Sequence, residues 1–347
     1  MRQCMDDFSR KSAEDRRAYI EEAASRRDLT ALIIEKDFWV CWTLKRLMAS
    51  ELLRGSLTFK GGTSLSKAYG LIQRFSEDID LTISRDATFL CDVPAPMEEG
   101  ISGKQRKKRG KELKEAAQQY VQKIIRPELS KAIEDALGTL EGWNVEPDPD
   151  DPDVQTILFY YPQADGGSSD SGISGAGYIK PRIKLEFGAR GDTEPSGLQT
   201  IQPYLAEEFP EELPDASCSV PTLAAERTFW EKVTILHALH HNGKLRDGMS
   251  RHYYDTLMLV NGGIADQFDV ELLAQVVHNK SLMFPDPKAS YETAVLGSLK
   301  LIPSDEIVAK LQSDYSAMAE MFMETPPSFA ELISGLEALE SRLNNDW

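Results

Sequence analysis

The alternation of apolar and polar positions over residues 57–83 predicts a strand, a turn, a helix and a second strand. An apolar run over 57–59 stops at Gly61-Gly62, and helical spacing follows over 63–72. The apolar face of this helix consists of Leu65, Ala68, Tyr69 and Ile72. Over 78–83 every second residue is apolar, which is typical of a half-buried strand.

Four further segments have a clear pattern. Residues 183–187 alternate in the same way and predict another half-buried strand. Residues 226–237 predict a helix, and residues 30–48 and 111–137 also predict helices. In the helix over 30–48, the aromatic residues are expected in the core: Phe38, Trp39 and Trp42. The chain therefore combines strands in its middle with helices at both ends.

The composition indicates a globular chain without a membrane anchor. With 347 residues and 41% hydrophobic content, the chain is long enough to form two lobes. Its N-terminus is polar, and no apolar run approaches the ~20 residues of a membrane span. The cysteines have no paired spacing, which is typical of free thiols in a reducing compartment: Cys4, Cys41, Cys91 and Cys218. We therefore expect a cytoplasmic protein with no membrane contact.

The charge is strongly acidic, with one basic exception. The net charge of −17, from 39 basic and 56 acidic residues, argues against broad nonspecific binding of nucleic acid. In the run from Lys104 to Lys114, however, Glu112 is the only acidic residue. Such a run can contact the phosphates of an RNA. The alternative is a solvated helix start or loop, which is the commoner role of a charge run.

Histidines are concentrated in the C-terminal third, at His237, His240, His241 and His252. Such clusters can bind zinc. The chain has no His-Glu-x-x-His motif, and no cysteine lies close in sequence. Packing in a core or cleft is therefore the favoured interpretation.

The residues between the first strand and its helix can hold an anion. Gly61 and Gly62 form a strand-to-helix turn, and backbone N–H groups at a helix N-terminus attract phosphate. Thr63 and Ser64 follow at positions where hydroxyls either cap a helix or bind a phosphate oxygen. Taken alone, this segment favours a simple capped turn over a phosphate site.

Two carboxylates on the second strand change that balance. Asp78 and Asp80 are two residues apart, so both project from the same face of the strand. Two like charges so close repel each other unless a cation neutralises them. Mg²⁺ prefers carboxylates, water and substrate phosphates as ligands. A solvated edge strand is the alternative, but the glycine turn upstream favours a metal site and transfer of a nucleotidyl group.

These motifs resemble the nucleotidyltransferase AbiEii/AbiGii toxin family of the MenT-like minimal nucleotidyltransferases. The resemblance rests on Gly61–Tyr69 and Arg74–Leu81, and four weaker segments extend it over nearly the whole chain: Glu35–Val40, Lys184–Arg190, Glu226–Lys232 and Arg251–Leu257. It implies an α+β fold with a mixed β-sheet flanked by helices and a helical C-terminal lobe. The expected organisation is a helical segment over 1–50, a nucleotidyltransferase core over 51–215 and a helical domain over 220–347. Lys36 and Asp37, in the first of the weaker segments, are candidates for the border of the site.

A third carboxylate is expected near the first two. If the strand over 183–187 pairs with the strand over 78–83, Glu186 lies close to Asp78 and Asp80. A nucleotidyltransferase commonly uses a third acid to complete metal coordination or to activate the attacking hydroxyl. A surface strand with a Lys184–Glu186 pair is the alternative, and the resemblance favours the metal ligand.

The resemblance also implies roles for residues outside the carboxylate strands. Lys232 matches a family lysine that binds the triphosphate, a role that suits a mobile point charge, and Arg74 is expected to assist it. Asp255 matches a family acid and is a candidate catalytic or site-organising residue. Without the resemblance, Lys232 would be a solvent-facing lysine, and Arg251 and Asp255 would be a surface pair on a helix.

The resemblance implies a bacterial toxin–antitoxin or abortive-infection (phage defence) protein that transfers a nucleoside monophosphate from a nucleoside triphosphate. The expected cofactor is Mg²⁺, the expected acceptor is the 3′ end of tRNA, and a cognate antitoxin is the expected partner. Two alternatives stay open: transfer to a protein or small molecule, and a catalytically inactive nucleotide-binding interaction protein.

Overall fold

The computed structural model describes residues 4–165 and 179–345. Its α-helices are α1 (Cys4–Ser9), α2 (Ala13–Arg27), α3 (Ala31–Ala49), α4 (Gly61–Lys67), α5 (Gly103–Tyr120), α6 (Arg126–Leu137), α7 (Tyr204–Glu208), α8 (Ala225–Asn242), α9 (Ser250–Asn261), α10 (Val270–Met283), α11 (Val308–Ala317) and α12 (Phe329–Asn345). Its strands are β1 (Leu57–Lys60), β2 (Asp78–Ile83), β3 (Asn144–Pro147), β4 (Thr156–Tyr160), β5 (Ile183–Gly188), β6 (Ser196–Ile201) and β7 (Cys218–Leu223).

Within these described residues, the strands form one mixed sheet in the order β3-β4-β5-β2-β1-β7-β6. β2 is antiparallel to β1 and parallel to β5, while β1 is parallel to β7. The two predicted strands of the centre, β2 and β5, alternate between buried and half-buried positions over most of their length, as expected from their sequences. Together with the helices, this sheet confirms the α+β class.

Two predicted helices differ in extent from the sequence pattern. The helix expected over 63–72 begins earlier, at Gly61, and ends at Lys67. Gly70 adopts a positive φ of 63°, a conformation that cannot continue a right-handed helix. The helix expected over 111–137 begins at Gly103 and continues through a π-helical segment over Val121–Ile125 into α6.

The chain divides into two compact units. The first comprises Met1–Ala68, Phe75–Pro94 and Lys111–Thr222; the second comprises Tyr69–Arg74, Ala95–Gly110 and Leu223–Trp347. The three-part division expected from the sequence stays a prediction.

Aromatic residues dominate the core of the first unit. Trp39 of α3 stacks on Tyr161, with ring centroids 5.4 Å apart, and Trp42 stacks on Phe159 of β4. All four rings are buried. Stacked aromatic pairs contribute about 0.5–1.5 kcal/mol beyond the burial of their area. The expectation that the aromatic residues of α3 lie in the core is confirmed.

The second unit is helical. α8 and α12 both pack against α9, and α12 buries leucines at helical spacing: Leu332, Leu336, Leu339 and Leu343. The helical C-terminal part expected from the sequence is thus present from Ala225 onwards. Among the helices of the described ranges, none is long and apolar enough to cross a membrane.

Candidate active site

Neighbouring strands place charged side chains on one face of the sheet in the first unit. Asp80 on β2 lies directly opposite Lys60 on β1 and Glu186 on β5. Residues directly opposite each other on neighbouring strands project to the same face. Asp78, opposite Lys184, shares that face because it is two residues from Asp80. The strand pairing expected from the sequence is confirmed, and it brings the three predicted carboxylates to one surface.

The carboxyl group of Asp78 is electrostatically strained. Burial raises the pKa of Asp78 to about 6, and the negative charges of Glu77 and Glu186 contribute to this rise. Lys184 and Lys36 oppose the rise in pKa without cancelling it. A cation bound here relieves the repulsion between the carboxylates.

Glu186 is held by a lysine on its own strand. Lys184 Nζ lies 2.5 Å from Glu186 Oε1, with the side chains 34% and 42% exposed. This is the ion pair that the alternative interpretation of the strand describes. Because exposed pairs contribute only about 0–1 kcal/mol, Glu186 can exchange this lysine for another cation at little cost.

Gly61 allows the backbone to approach the carboxylate of Asp80. Its φ of +81° lies in the region that favours glycine. A Cβ atom at this position would overlap Oδ2 of Asp80. The first glycine of the pair is therefore required by the position of Asp80, a reason that the sequence pattern did not reveal.

The hydroxyls that follow are engaged with the backbone. Thr63 Oγ1 donates to the carbonyl oxygens of Ser76, at 3.0 Å, and Asp78, at 2.5 Å. Ser64 Oγ donates to the Gly61 carbonyl at 2.9 Å. Because a hydroxyl carries one proton, neither group is directed at a phosphate in this arrangement. Thr63 instead ties the start of α4 to the start of β2.

The second unit contains a buried cluster of three charges. Arg74 donates two parallel hydrogen bonds to Asp255 on α9, from Nε to Oδ1 at 2.7 Å and from Nη2 to Oδ2 at 2.8 Å. Lys232 on α8 donates from Nζ to Oδ2 at 2.7 Å. Arg74, Lys232 and Asp255 are 2%, 5% and 0% exposed. The interpretations of Lys232 as a solvent-facing lysine and of Arg251–Asp255 as a surface pair are therefore wrong.

The cluster carries one more positive than negative charge. Burial alone would raise the pKa of Asp255, but the charges and hydrogen bonds of Arg74 and Lys232 outweigh burial and hold this pKa well below its usual range. Burial lowers the pKa of Lys232, and Arg74 lowers it further against the opposing effect of Asp255. Asp255 therefore stays ionised, and the excess positive charge favours binding of an anion.

Two consecutive residues of α3 contact the motif segments on either side of the glycine turn. Lys36 forms an ion pair with Glu77, the residue before β2, and is 2% exposed. Asp37 accepts a hydrogen bond from Lys67, the last residue of α4, at 2.8 Å. Sequence reasoning placed these residues at the border of the site and assigned them no chemical role. Their signal was a run of three adjacent charges, over 35–37, inside a mostly apolar helix.

Comparison with known proteins decides the family. A sequence model of the nucleotidyl transferase AbiEii toxin, of type IV toxin–antitoxin systems, matches residues 42–342. The chain belongs to this family. The resemblance found in the motifs is thereby confirmed, and the chain is an NTP-dependent nucleotidyltransferase toxin of a type IV system.

Two further comparisons complete this result. No curated protein matches the chain. Among solved structures, the nucleotidyltransferase toxin MenT4 from Mycobacterium tuberculosis H37Rv is 15% identical with a TM-score of 0.46. The match covers 95% of this chain and 97% of MenT4.

Membership in the AbiEii family implies a nucleoside triphosphate substrate and an antitoxin partner, and nucleotidyltransferases generally use a divalent metal. Across residues 4–165 and 179–345, no three His, Cys, Asp or Glu side chains converge closely enough to hold a metal ion. The donor set nonetheless fits a hard divalent cation, because Asp78, Asp80 and Glu186 share one face and the repulsion on Asp78 is relieved by a cation.

The basic run of this AbiEii-family chain lies at the start of α5. Lys104 and Lys107 are exposed, whereas Arg106 and Arg109 donate to the carbonyl oxygens of Pro96 and Ala95. The lysines therefore face solvent, while the arginines hold the preceding loop.

Proposed function

We propose that this toxin transfers a nucleoside monophosphate to the 3′-terminal hydroxyl of a tRNA in the bacterial cytoplasm, with Mg²⁺ as the metal. The observation that carries the proposal is the alignment of Asp78, Asp80 and Glu186 on one face of the sheet. Abortive infection of phage-infected cells is the biological role that we propose with it.

Asp78 and Asp80 are the proposed metal ligands, and Glu186 joins them when its contact with Lys184 opens. The bound cation would supply charge neutralisation on the triphosphate and on the leaving pyrophosphate. The raised pKa of Asp78 supports this role. Besides burial, it reflects repulsion from neighbouring carboxylates, which a cation removes. The close contact between Gly61 and Asp80 limits the directions in which the second carboxylate can point.

Two groups of residues are proposed to bind the nucleotide. The backbone of Gly61 and Gly62 and the residues Thr63 and Ser64 are the proposed phosphate-binding segment; the two hydroxyls must turn away from their carbonyl partners to donate to phosphate. Lys232 and Arg74 are the proposed source of positive charge, supported by the net charge of their cluster.

Asp255 is proposed as a positioning residue and Glu186 as the group that orients the acceptor hydroxyl. Asp255 is a poor proton acceptor because two cations bind its carboxylate and lower its pKa. Glu186 is 42% exposed and shares the face of Asp78 and Asp80, where its carboxylate can accept a hydrogen bond from the acceptor hydroxyl. The acceptor hydroxyl gives its proton to water and its oxygen bonds to the α-phosphorus. The bond from that phosphorus to the β-phosphate oxygen breaks, and pyrophosphate leaves with the electron pair. Such chemistry depends mainly on positioning and electrostatics.

The tRNA acceptor is supported by the exposed lysines of the Lys104–Lys114 run. Each phosphate contact made by a lysine binds without reading sequence and weakens as salt concentration rises. The arginines of the run are engaged with backbone carbonyls, so the lysines are the proposed contacts.

The test is transfer of label from each α-³²P-labelled nucleoside triphosphate, with Mg²⁺, to total tRNA and to a bacterial protein extract. Asp78→Asn and Lys232→Ala are expected to abolish transfer. Asp92→Asn, at an exposed aspartate of the first unit, is the matched control and is expected to retain it. Label on tRNA supports the proposal. Label only on protein replaces the acceptor, and binding of nucleotide without transfer to either extract contradicts the catalytic assignment.

A further inference from the structure

Lys60 is a cation that the proposed mechanism leaves without a role. It is the last residue of β1 and lies opposite Asp80, so its side chain shares the face that carries Asp78, Asp80 and Glu186. Within the part of the chain that the structure describes, its ammonium group forms no ion pair, although carboxylates occupy the same face. A lysine on this face can remain unpaired in the free protein if the anion that it binds belongs to the substrate.

Thr82 supplies an unused hydrogen-bonding group on the same face. It follows Asp80 by two residues and lies opposite Thr58 and Gly188. The residue is 1% exposed, and its Oγ1 has no hydrogen-bond partner among the described residues. Buried hydroxyls are nearly always paired, because an unpaired one has lost its water without replacement. Thr63, by contrast, donates to two backbone carbonyls.

Gly191 brings these two groups together. A Cβ atom built on this glycine would lie 3.4 Å from Lys60 Nζ and 3.5 Å from Thr82 Oγ1. The ammonium and the hydroxyl therefore border the same space beside Gly191, in which a side-chain methyl group would be in ordinary contact with both. An ion pair between Arg85 and Asp192 connects the segments that follow β2 and β5 beside this space.

The space lies towards the end of β2 and beside the residues that follow β5. β2 and β5 are parallel neighbours, so their carboxyl ends lie at the same edge of the sheet. The space also lies farther along β2 than the carboxylates that are proposed to hold the metal.

We infer that Lys60 Nζ and Thr82 Oγ1, over Gly191, form a binding subsite for a phosphoryl group. The inference rests on the proposed function, because a phosphate shared by a lysine and a metal ion requires the metal face. Its ligand is an oxygen of a phosphate: either the triphosphate of the nucleotide and the pyrophosphate released from it, or a phosphodiester of the tRNA acceptor. The ammonium supplies charge, the hydroxyl donates a directional hydrogen bond, and the glycine lets the ligand approach the backbone.

The test measures equilibrium binding of inorganic pyrophosphate, of each nucleoside triphosphate and of total tRNA by calorimetry in the presence of Mg²⁺. Lys60→Gln is expected to weaken binding of one class of ligand about tenfold or more, as loss of a charge-assisted hydrogen bond does. Lys60→Arg is expected to retain part of the affinity. Gly191→Ala places a methyl group in the space at ordinary contact distance and is expected to weaken binding without changing any charge.

Thr82→Val gives a readout that a merely structural role would not produce. Removing an unpaired buried hydroxyl is expected to keep or raise the midpoint of thermal unfolding, while the affinity for the phosphoryl ligand falls. Thr58→Val, at the buried threonine directly opposite, and Lys131→Gln, at an exposed lysine of α6, are the controls, both with unchanged affinity expected.

The outcomes separate the subsite from the enzyme. Weakened binding of pyrophosphate and nucleotide assigns the subsite to the triphosphate, and weakened binding of tRNA alone assigns it to the acceptor; both support the inference. Wild-type affinity for all ligands in Lys60→Gln and Thr82→Val overturns the subsite and leaves the proposed function standing. A wild-type protein that binds none of the ligands overturns both.

Discussion

Removal of the buried carboxylate of Asp255 is expected to destabilise the second unit far more than removal of Lys232. Asp255 is the anion that contacts both Arg74 and Lys232, and all three side chains are at most 5% exposed. Asp255→Asn leaves two buried cations facing each other. Breaking a buried ion pair in this way costs about 3–5 kcal/mol.

Lys232→Met has a different effect on the same cluster. It removes one of two like charges and leaves the pair of parallel hydrogen bonds between Arg74 and Asp255 intact. Because methionine fills a similar volume and the remaining charges balance, we expect a loss of ~1 kcal/mol or less. Nucleotidyl transfer is nevertheless expected to be lost, because the proposed phosphate-binding charge is gone.

The assay compares the midpoint of thermal unfolding and amide hydrogen exchange in α8 and α9 between the two variants. For domains of roughly this size, the expected destabilisation by Asp255→Asn lowers the midpoint by about 6–20 °C. Asp247→Asn, at an exposed aspartate of the second unit, is the control and is expected to stay within ~0.5 kcal/mol of the wild type. Equal destabilisation by Asp255→Asn and Lys232→Met would refute the assignment of Asp255 as the charge that stabilises the cluster.

Three further predictions concern other parts of the chain. Gly61→Ala is expected to lower nucleotidyl transfer by about 100-fold or more, because the added methyl group displaces the Asp80 carboxylate. The control is Gly55→Ala, at a glycine of similar φ with open space around it. This control is expected to show only the backbone cost of ~1 kcal/mol and normal turnover. Lys36→Met is expected to lower the unfolding free energy by about 3 kcal/mol, because it leaves Glu77 unpaired. The double variant Lys36→Met with Glu77→Gln should recover part of the lost free energy. A double variant as unstable as the sum of its singles would exclude this coupling. Burial lowers the pKa of His237, whose Nδ1 accepts the Lys300 N–H. The unfolded chain therefore binds more protons than the folded one, and stability should fall as pH drops below about 6.5. The thermal midpoint of His237→Gln should depend less steeply on pH between about 7.5 and 5.5 than that of the wild type, and an unchanged dependence would count against this role.

The interpretation of His237 also shows how far the histidine pattern could be understood from the sequence. Its Nε2 lies 3.0 Å from the Ser290 carbonyl, and its Nδ1 accepts a backbone N–H at 3.1 Å. Both ring nitrogens are thus engaged with the protein, as packing in a core predicts. The partners lie more than 50 residues away in the sequence, so no local pattern indicated them.

The sequence by itself determined the local geometry of the carboxylates. A period of two residues places Asp78 and Asp80 on one face of a strand wherever that strand lies, and the same period aligns Lys184 with Glu186. Helical spacing likewise predicted the buried apolar stripe of α8, which consists of Phe229, Val233 and Leu236. These properties depend only on neighbouring residues, so the order of residues along each segment is enough to predict them.

Only the tertiary structure decided which of these elements are partners. The register of β2 against β5 brings Asp80 and Glu186 together, and the packing of α8 and α9 encloses Lys232 and Asp255 with Arg74. Helical periodicity indicates which face of a helix is buried but not which charge lies opposite, because that charge comes from a distant part of the chain. The burial of Lys232 in an internal cluster, where a single helical lysine commonly faces solvent, is therefore a property of the fold, not of the sequence around it.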